Sequence, residues 1–562
     1  MADDGSNTDG FMTEHMEFAD QLAGYVESEH PEFLVNKLYY DAYKKDMTAG
    51  TYPDVRSGLQ KLLKDGLLLF NYTGHGGTTA LSDEKVLTQT DINQFTYTHL
   101  PVWVTATCDF TRFDDLNTSA GEDVFLNKSS GGIALFTTVR VAYSRPNFPI
   151  NDNVIRNLFE RNNGRRRTLG EVMQATKNTL SSVYKLGFCL IGDPAVKIAY
   201  PEFGMKVTTV NGQSVDGNSI SFKALEKITV EGEVLDASGQ LVTDFTGIVN
   251  PTVKDSKVTV TCLKNSNKDD SPAFTFTDYP NTIFIGNDSV RNGKFSFTFT
   301  VPKDISYSNL QGKMNLYAVD TESGNEAQGN FDNFIVGGTS DTAETDTIGP
   351  EIRALYLNDT TFVDGGQVNT TPYFVAELWD KSGVNITGSS VGHDMMLVID
   401  ESTVLSYNLN SYYELLPGED GTGIVKFPIP ALEPGKHTAE FWVWDILNNS
   451  TVRTFTFEVV EGLKPFLFDV IATPGIAREQ VTFHLMHNRP ESRMRVGIMV
   501  YDLAGRQLWK HEESGTSGLF ENYTVSWDLT SGGARMRPGV YIYRAAISTD
   551  NSKDATKARK FI

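Results

Sequence analysis

GLLLFNYTGHGG (Gly66–Gly77) and PVWVTATCDF (Pro101–Phe110) are the two stretches whose reading decides the fold. Each opens with a short continuous apolar run, the pattern of a strand covered on both faces, and each ends abruptly in small or reactive residues. A third run of the same kind, GIALFTT, follows at Gly132–Thr138. Between and around these runs, apolar residues recur at three- or four-residue spacing, predicting helices over Thr13–Glu29, Pro53–Lys64, Gly121–Lys128, Asn151–Arg161 and Thr168–Tyr184. Strands alternating with helices predict a parallel sheet with crossover helices over residues 1–202.

Beyond Phe203 the helical period disappears. KITVEGEVLD, KVTVTCL and KFSFTFTVP alternate β-branched or aromatic residues with polar ones between Gly, Asn and Asp turns, which is the grammar of a β-sandwich. The Gly-, Ser- and Thr-rich break Gly337–Pro350 separates this block from a second, containing YFVAELWD and TAEFWVWD. A further boundary near Gly462 opens a third, with VGIMVYDLAGRQLW, YTVSWDLTSGG and GVYIYRAAIS. The expected organisation is multidomain, α/β plus all-β: an α/β domain (1–202), a β-sandwich (203–340), an Ig-like β-sandwich (341–461) and a terminal β-sandwich (462–562). At 562 residues the chain exceeds what one core can fill, since single cores stop growing at roughly 250–300 residues.

Composition narrows the function. A net charge of −22 argues against nucleic acid as a partner, because counterion displacement needs a concentrated basic face. Three cysteines, Cys108, Cys189 and Cys262, are too few and too scattered for a disulfide framework or a paired zinc site, so no metal or cofactor is expected. No apolar run reaches the length of a spanning helix. MADDGSNTDG lacks the features of a signal peptide and reads as an interior segment whose preceding strand is missing, so a piece of a longer protein is expected.

Active sites of open α/β sheets gather at the carboxyl edge of the strands. His75 follows the first apolar run and Cys108 directly follows the second, so neighbouring strands would project both from one edge. A thiol needs a base within reach to become a nucleophile near neutral pH, and an imidazole supplies one. The glycines around His75 leave room for a reacting carbonyl, and the Gly76 and Cys108 amides are the expected oxyanion donors. Read singly, a strand-end cysteine is a small buried residue and a histidine among glycines caps a turn; the pairing carries the argument. Cys189 and Cys262 read as inert core thiols, and Arg165–Arg167 as a solvated loop. His484 and His487 fall on opposite faces of a strand, which defeats shared metal ligation.

NYTGHGG and TATCDF, followed in order by SGGIALFTTVRVAYS and IGDPAVKI, resemble the catalytic half of the gingipain (C25-type) cysteine peptidases, a caspase-related α/β fold. The resemblance covers residues 1–202 and implies His75 and Cys108 as the catalytic dyad. It also implies an orienting acid at the end of an earlier strand, where this chain offers Asp3 and Asp4. Asp109, beside the nucleophile, is a candidate substrate contact. Gly192, Asp193 and Pro194 are expected to shape a turn.

The terminal domain, through VYDLAGRQL, WDLTSGG, RPGVYIYR and the basic ARKFI, resembles the C-terminal sorting domains of Bacteroidetes type IX secretion cargo. Together the resemblances imply a cell-surface sortase, peripheral to the outer membrane. It would remove sorting domains from arriving protein substrates and join them to a lipopolysaccharide amine, held by the outer-membrane barrel PorV among other attachment-complex subunits. Two other readings remain: a secreted endopeptidase that is itself cargo, and an adhesin with a dead peptidase domain.

Overall fold

A computed structural model describes the chain apart from residues 5–12, 96, 98, 129, 163, 266–271, 341–345, 389–391, 417–420, 520 and 550–551. The centre of the Gly337–Pro350 break therefore lies outside the described residues. The first part of the chain is built on a four-stranded sheet, β1 (Leu69–Thr73), β2 (Val102–Ala106), β3 (Ala134–Thr138) and β4 (Phe188–Ile191), in that spatial order. The first three strands are parallel and β4 is antiparallel to β3. All five residues of β2 and of β3 are buried, as the continuous apolar runs predicted.

Helices α1 (Glu14–Glu29), α2 (Pro53–Asp65), α3 (Gln89–Gln94), α4 (Ala120–Leu126), α5 (Ser144–Phe159) and α6 (Leu169–Thr179) surround the sheet. One apolar cluster joins α2 and α4 to Phe70, Tyr72 and Trp103; another joins α5 and α6 to Val104, Ala134, Phe136 and Phe188. The sequence placed the start of α5 at Asn151. The helix begins instead at Ser144, because Pro146 falls in the first turn, whose N–H groups lack intrahelical partners anyway, and the helix continues through Pro149. The helix expected to run to Tyr184 stops at Thr179, and Val183–Gly187 form a 3-10 turn.

Two further expectations need correction. Arg165–Arg167 is not simply a solvated loop: Arg161–Asn162 and Arg165–Arg166 pair as a hairpin, and the three arginines meet Glu171, Glu202 and Glu160. Cys189 is not a core thiol but lies half-buried on the edge strand β4. The Gly192–Pro194 turn follows β4 as expected, with Gly192 at φ +143°.

Among the described residues, a nine-stranded and a three-stranded sheet enclose a core around Phe222, Phe295 and Val336. Next, a four- and a five-stranded sheet enclose Phe374, Phe441 and Phe457, and finally a three- and a four-stranded sheet enclose Phe483, Val496 and Tyr543. The chain is thus α/β followed by β-sandwiches. No described helix is long and apolar enough to cross a membrane.

The opening residues enter the sheet from the side. Ala2 bridges in parallel to both Thr73 and Tyr39; its N–H donates to the Leu38 carbonyl (3.1 Å), and its own carbonyl accepts from Tyr40 (3.0 Å). This lays Asp3 and Asp4 at the carboxyl end of the sheet. The placement is covered from outside by a hairpin of the second unit, Val258–Thr261 with Thr275–Asp278. Cys262 and Phe276 from that region pack with Ala2, Met16, Ala19 and Tyr39, and the Phe276 and Tyr39 rings meet edge to face with centroids 4.7 Å apart. Lys37 Nζ reaches across to the Thr277 carbonyl (2.8 Å). Burial pushes the Cys262 thiol up to about 12, with the Asp41 carboxylate adding to the shift.

Phe276→Ala should open this cover. Truncating a buried aromatic typically costs about 3–5 kcal/mol. The expected result in urea unfolding is a loss of that order, together with native-state alkylation of Cys262, which stays protected in the unsubstituted protein. Unchanged stability with Cys262 still protected would mean that the hairpin does not hold Ala2 in place.

Candidate active site

β1 and β2 are neighbours, and their last paired residues are Thr73 and Ala106. His75 and Cys108 each stand two residues beyond that pair, so adjacent strands deliver both to one edge. The Gly74 N–H reaches back to the Ala106 carbonyl (3.4 Å), continuing the ladder one step past the strands. The loop then folds into a small hairpin, Gly76–Gly77 against Ala80–Leu81, while Ser82 N–H donates to the His75 carbonyl (2.8 Å).

Two glycines are required here by space. A Cβ on Gly74 would come within 2.7 Å of the Asp3 carboxyl carbon and of the Tyr72 ring. A Cβ on Gly76 would collide with Thr107 Oγ1 and press to 3.3 Å on the Ala80 carbonyl. The His75 loop is thus packed directly against the residue that precedes Cys108.

Of the two acids suggested by sequence, Asp3 is the one that meets the histidine. Its carboxylate accepts from the His75 main-chain N–H (2.6 Å) and from the Tyr72 hydroxyl (3.3 Å), which also donates to the His75 carbonyl (2.7 Å). Its other oxygen is bonded to Nδ1 of His15. Asp4 turns away, accepting from the Tyr52 hydroxyl (2.6 Å) with Lys45 Nζ at 3.8 Å. Burial by itself would push the Asp3 carboxyl up; the neighbouring His15 ring, with help from His75, outweighs this and holds it below the usual carboxylate value.

His15 is the functional neighbour that sequence reasoning missed. It lies on the buried side of α1, and its ring meets the His75 ring edge to face with centroids 5.0 Å apart. Within EHMEFAD it had no motif or strand end to mark it; only the fold brings it beside GHG.

Cys108 is partly buried and its Sγ donates to the Ala142 carbonyl (2.9 Å), so the thiol rests protonated. Burial pushes it up, and the Asp109 carboxylate adds to the shift. Asp109 itself has φ +46°, a left-handed conformation uncommon outside glycine, and sits 4.0 Å from Arg112. Such a kink directly after Cys108 turns the chain sharply away from the strand. Among the described residues, two groups bring three possible metal-ligand atoms within 4.8 Å of one another: Asp3, His15 and His75, and, far from this site in sequence, Asp346, Asp380 and Asp445. In the first, Asp3 is bonded to His15 Nδ1 and to the His75 main-chain N–H. In the second, backbone amides of Ile348, Ser382, Gly383, Leu447 and Asn449 already donate to the carboxylates.

Residues 1–199, which carry a histidine and a cysteine at adjacent strand ends and an acid behind the histidine, match the model of peptidase family C25. Among solved structures, the chain is similar to dimeric latent PorU from Porphyromonas gingivalis, with 36% identity over 77% of this chain and 41% of that one, and a TM-score of 0.32. It is also similar to the complex of Porphyromonas gingivalis RgpB pro- and mature domains, at 18% identity over 60% of this chain and 68% of that one, TM-score 0.28. The chain therefore spans less than half of the PorU chain that it matches. No curated protein sequence matches it.

Gly76→Ala should lower turnover by roughly a hundredfold or more, the usual loss when a catalytic hydrogen-bond donor is displaced. Because the obstacle is Thr107 Oγ1, adding Thr107→Ala should recover part of that loss. Steady-state kinetics on folded single and double variants checks both points. A Gly76→Ala enzyme with normal turnover would show that the loop accepts a side chain without moving.

Proposed function

We propose that the protein is a cysteine-dependent sortase of a type IX secretion system, cleaving C-terminal sorting domains from cargo and transferring the new C-terminus to a surface amine. The observation that carries the catalytic part is the placement of His75 and Cys108 two residues past the Thr73–Ala106 pair, within a C25 domain. In this reading His75 takes the Cys108 proton as sulfur attacks the scissile carbonyl carbon. The Gly76 and Cys108 amides receive the negative charge on the carbonyl oxygen. As the C–N bond breaks, His75 returns the proton to the leaving amine, which leaves a thioester on Cys108. An acceptor amine then attacks the thioester, its proton passes through His75 to the departing sulfur, and an amide is formed. Water in place of the amine gives simple hydrolysis. Asp109 is a substrate contact in this scheme, and lipopolysaccharide supplies the amine.

The sortase reading is favoured over a cargo endopeptidase by how the last unit is seated. Leu519 packs with Tyr356, Tyr373 and Ile424 of the preceding sandwich, and Glu491 pairs with Lys64 of α2 at 3.1 Å. A removable address has no need of such contacts, whereas a retained anchor, gripped by a barrel such as PorV, does.

Replacing the native copy in its host with a Cys108→Ala version should leave cargo proteins carrying their sorting domains, read as a larger mass on several surface proteins. Deletion of 463–562 should leave a small activated peptide still hydrolysed in solution, with surface retention and cargo trimming both lost. Normal trimming in the Cys108→Ala strain would end the sortase proposal. Normal retention of the truncated chain would return weight to the cargo reading.

A further inference from the structure

Asp3 is fully enclosed and held ionised, and a carboxylate can only accept hydrogen bonds. The Nδ1 atom of His15 in contact with it therefore carries a proton. His15 is itself buried, and its ring edge meets the His75 ring. A single carboxylate thus links a donating imidazole on one oxygen to the main chain of His75 on the other, while the first imidazole also bounds the second.

Among the described residues, tyrosines and carboxylates face this arrangement, Glu84 among them, whose charge acts on both Tyr40 and Tyr72. Tyr72 and Tyr40 flank Asp3, and burial keeps both phenols far above their ordinary range. On the helix that carries His15, Glu14 is turned toward α5, where it accepts from Ser144 and from Arg145 Nε (2.9 Å). Its charge is thus already met by a cation. Cys108, past the neighbouring strand end, is the group whose reactivity depends on where the His75 ring stands.

We infer that His15 is a positioning residue for His75. By donating to Asp3 it fixes the carboxylate in the rotamer that ties down the His75 main chain, and its ring edge limits the tilt of the His75 imidazole. Without it, Asp3 would lose a partner on Oδ1 and the neighbour that most offsets the cost of its burial, and the carboxyl would turn toward another donor. The His75 loop, whose Gly74 sits against that carboxyl and whose His75 main-chain N–H is bonded to it, would follow. This inference rests on the proposed Cys108–His75 pair, and its test has to separate the two.

The experiment is the pH dependence of Cys108 alkylation by iodoacetamide in the full chain, read by peptide mass, for the unsubstituted protein, His15→Phe, His15→Asn and His75→Ala. His15→Phe keeps a ring against His75 but cannot donate to Asp3. Its alkylation midpoint should move up by about one pH unit, slowing modification at neutral pH roughly tenfold, since one pKa unit is a tenfold change in thiolate. His15→Asn, whose Nδ2 hangs on Cγ as the histidine Nδ1 does, retains an N–H that can reach Asp3 and should restore the profile to within a factor of about three, a difference of under 1 kcal/mol. A purely structural role would lower stability without moving the midpoint of the folded protein. If His15→Phe does not fold, His15→Leu, which has no donor to offer Asp3, takes its place against Asn. An unmoved midpoint in the non-donating variant, or an Asn variant shifted as far as Phe, overturns the inference. If His75→Ala leaves Cys108 reactivity unchanged, the catalytic pair itself fails, whatever the His15 variants do.

Discussion

The arrangement of the site depends on one buried carboxylate. Asp3 has almost no exposed surface, yet it is held ionised by an imidazole, a main-chain N–H and a phenol. Removing one partner of such a buried charge typically costs about 3–5 kcal/mol, so the surroundings are strongly constrained to keep all of them. Gly74 is small because the Asp3 carboxyl group occupies the space where its side chain would be. Helix α1 must present His15 at its buried face, and the opening residues must lie between Tyr39 and Thr73 to bring the acid there. That insertion in turn is covered by Cys262 and Phe276, more than two hundred residues away in sequence. The second unit is therefore part of what builds the active site, although it contributes no residue to the chemistry.

At the other end of the pair, Cys108 is kept as a thiol by burial and by the adjacent Asp109 carboxylate. A partly enclosed thiol bonded to the Ala142 carbonyl is inert toward casual oxidants and becomes a nucleophile only when a base takes its proton. In the proposed reaction that base is His75, whose main chain is tied to Asp3.

The strands of the first domain were legible because the continuous apolar runs at Val102–Ala106 and Ala134–Thr138 are buried on both faces, while Leu69–Thr73 is buried at Phe70, Tyr72 and Thr73 and half-buried at Leu69 and Asn71. Their neighbour relations, once known, carry His75 and Cys108 to one edge without further assumption. The antiparallel β4 was not legible: FCLI looked like core, and an edge strand half-exposed on one side differs from it only in what lies beside it in space. The start of α5 was missed because two prolines suggested a boundary, although one of them sits where helices tolerate it. His15 could not be found at all, since a helix position acquires meaning only through the loop that the fold sets against it. The choice between Asp3 and Asp4 was likewise a matter of which way two adjacent side chains turn from an extended segment, and alternation along such a segment sends them to opposite sides.

The most direct test of the account is to mix the full chain with a protein bearing a C-terminal sorting domain, quench in acid during turnover, and weigh the peptides containing each cysteine. The account predicts the upstream portion of the substrate attached to Cys108 through a bond that hydroxylamine cleaves, with no such adduct in His75→Ala. Cleavage that proceeds with no adduct at Cys108, and at an undiminished rate in Cys108→Ala, would contradict it.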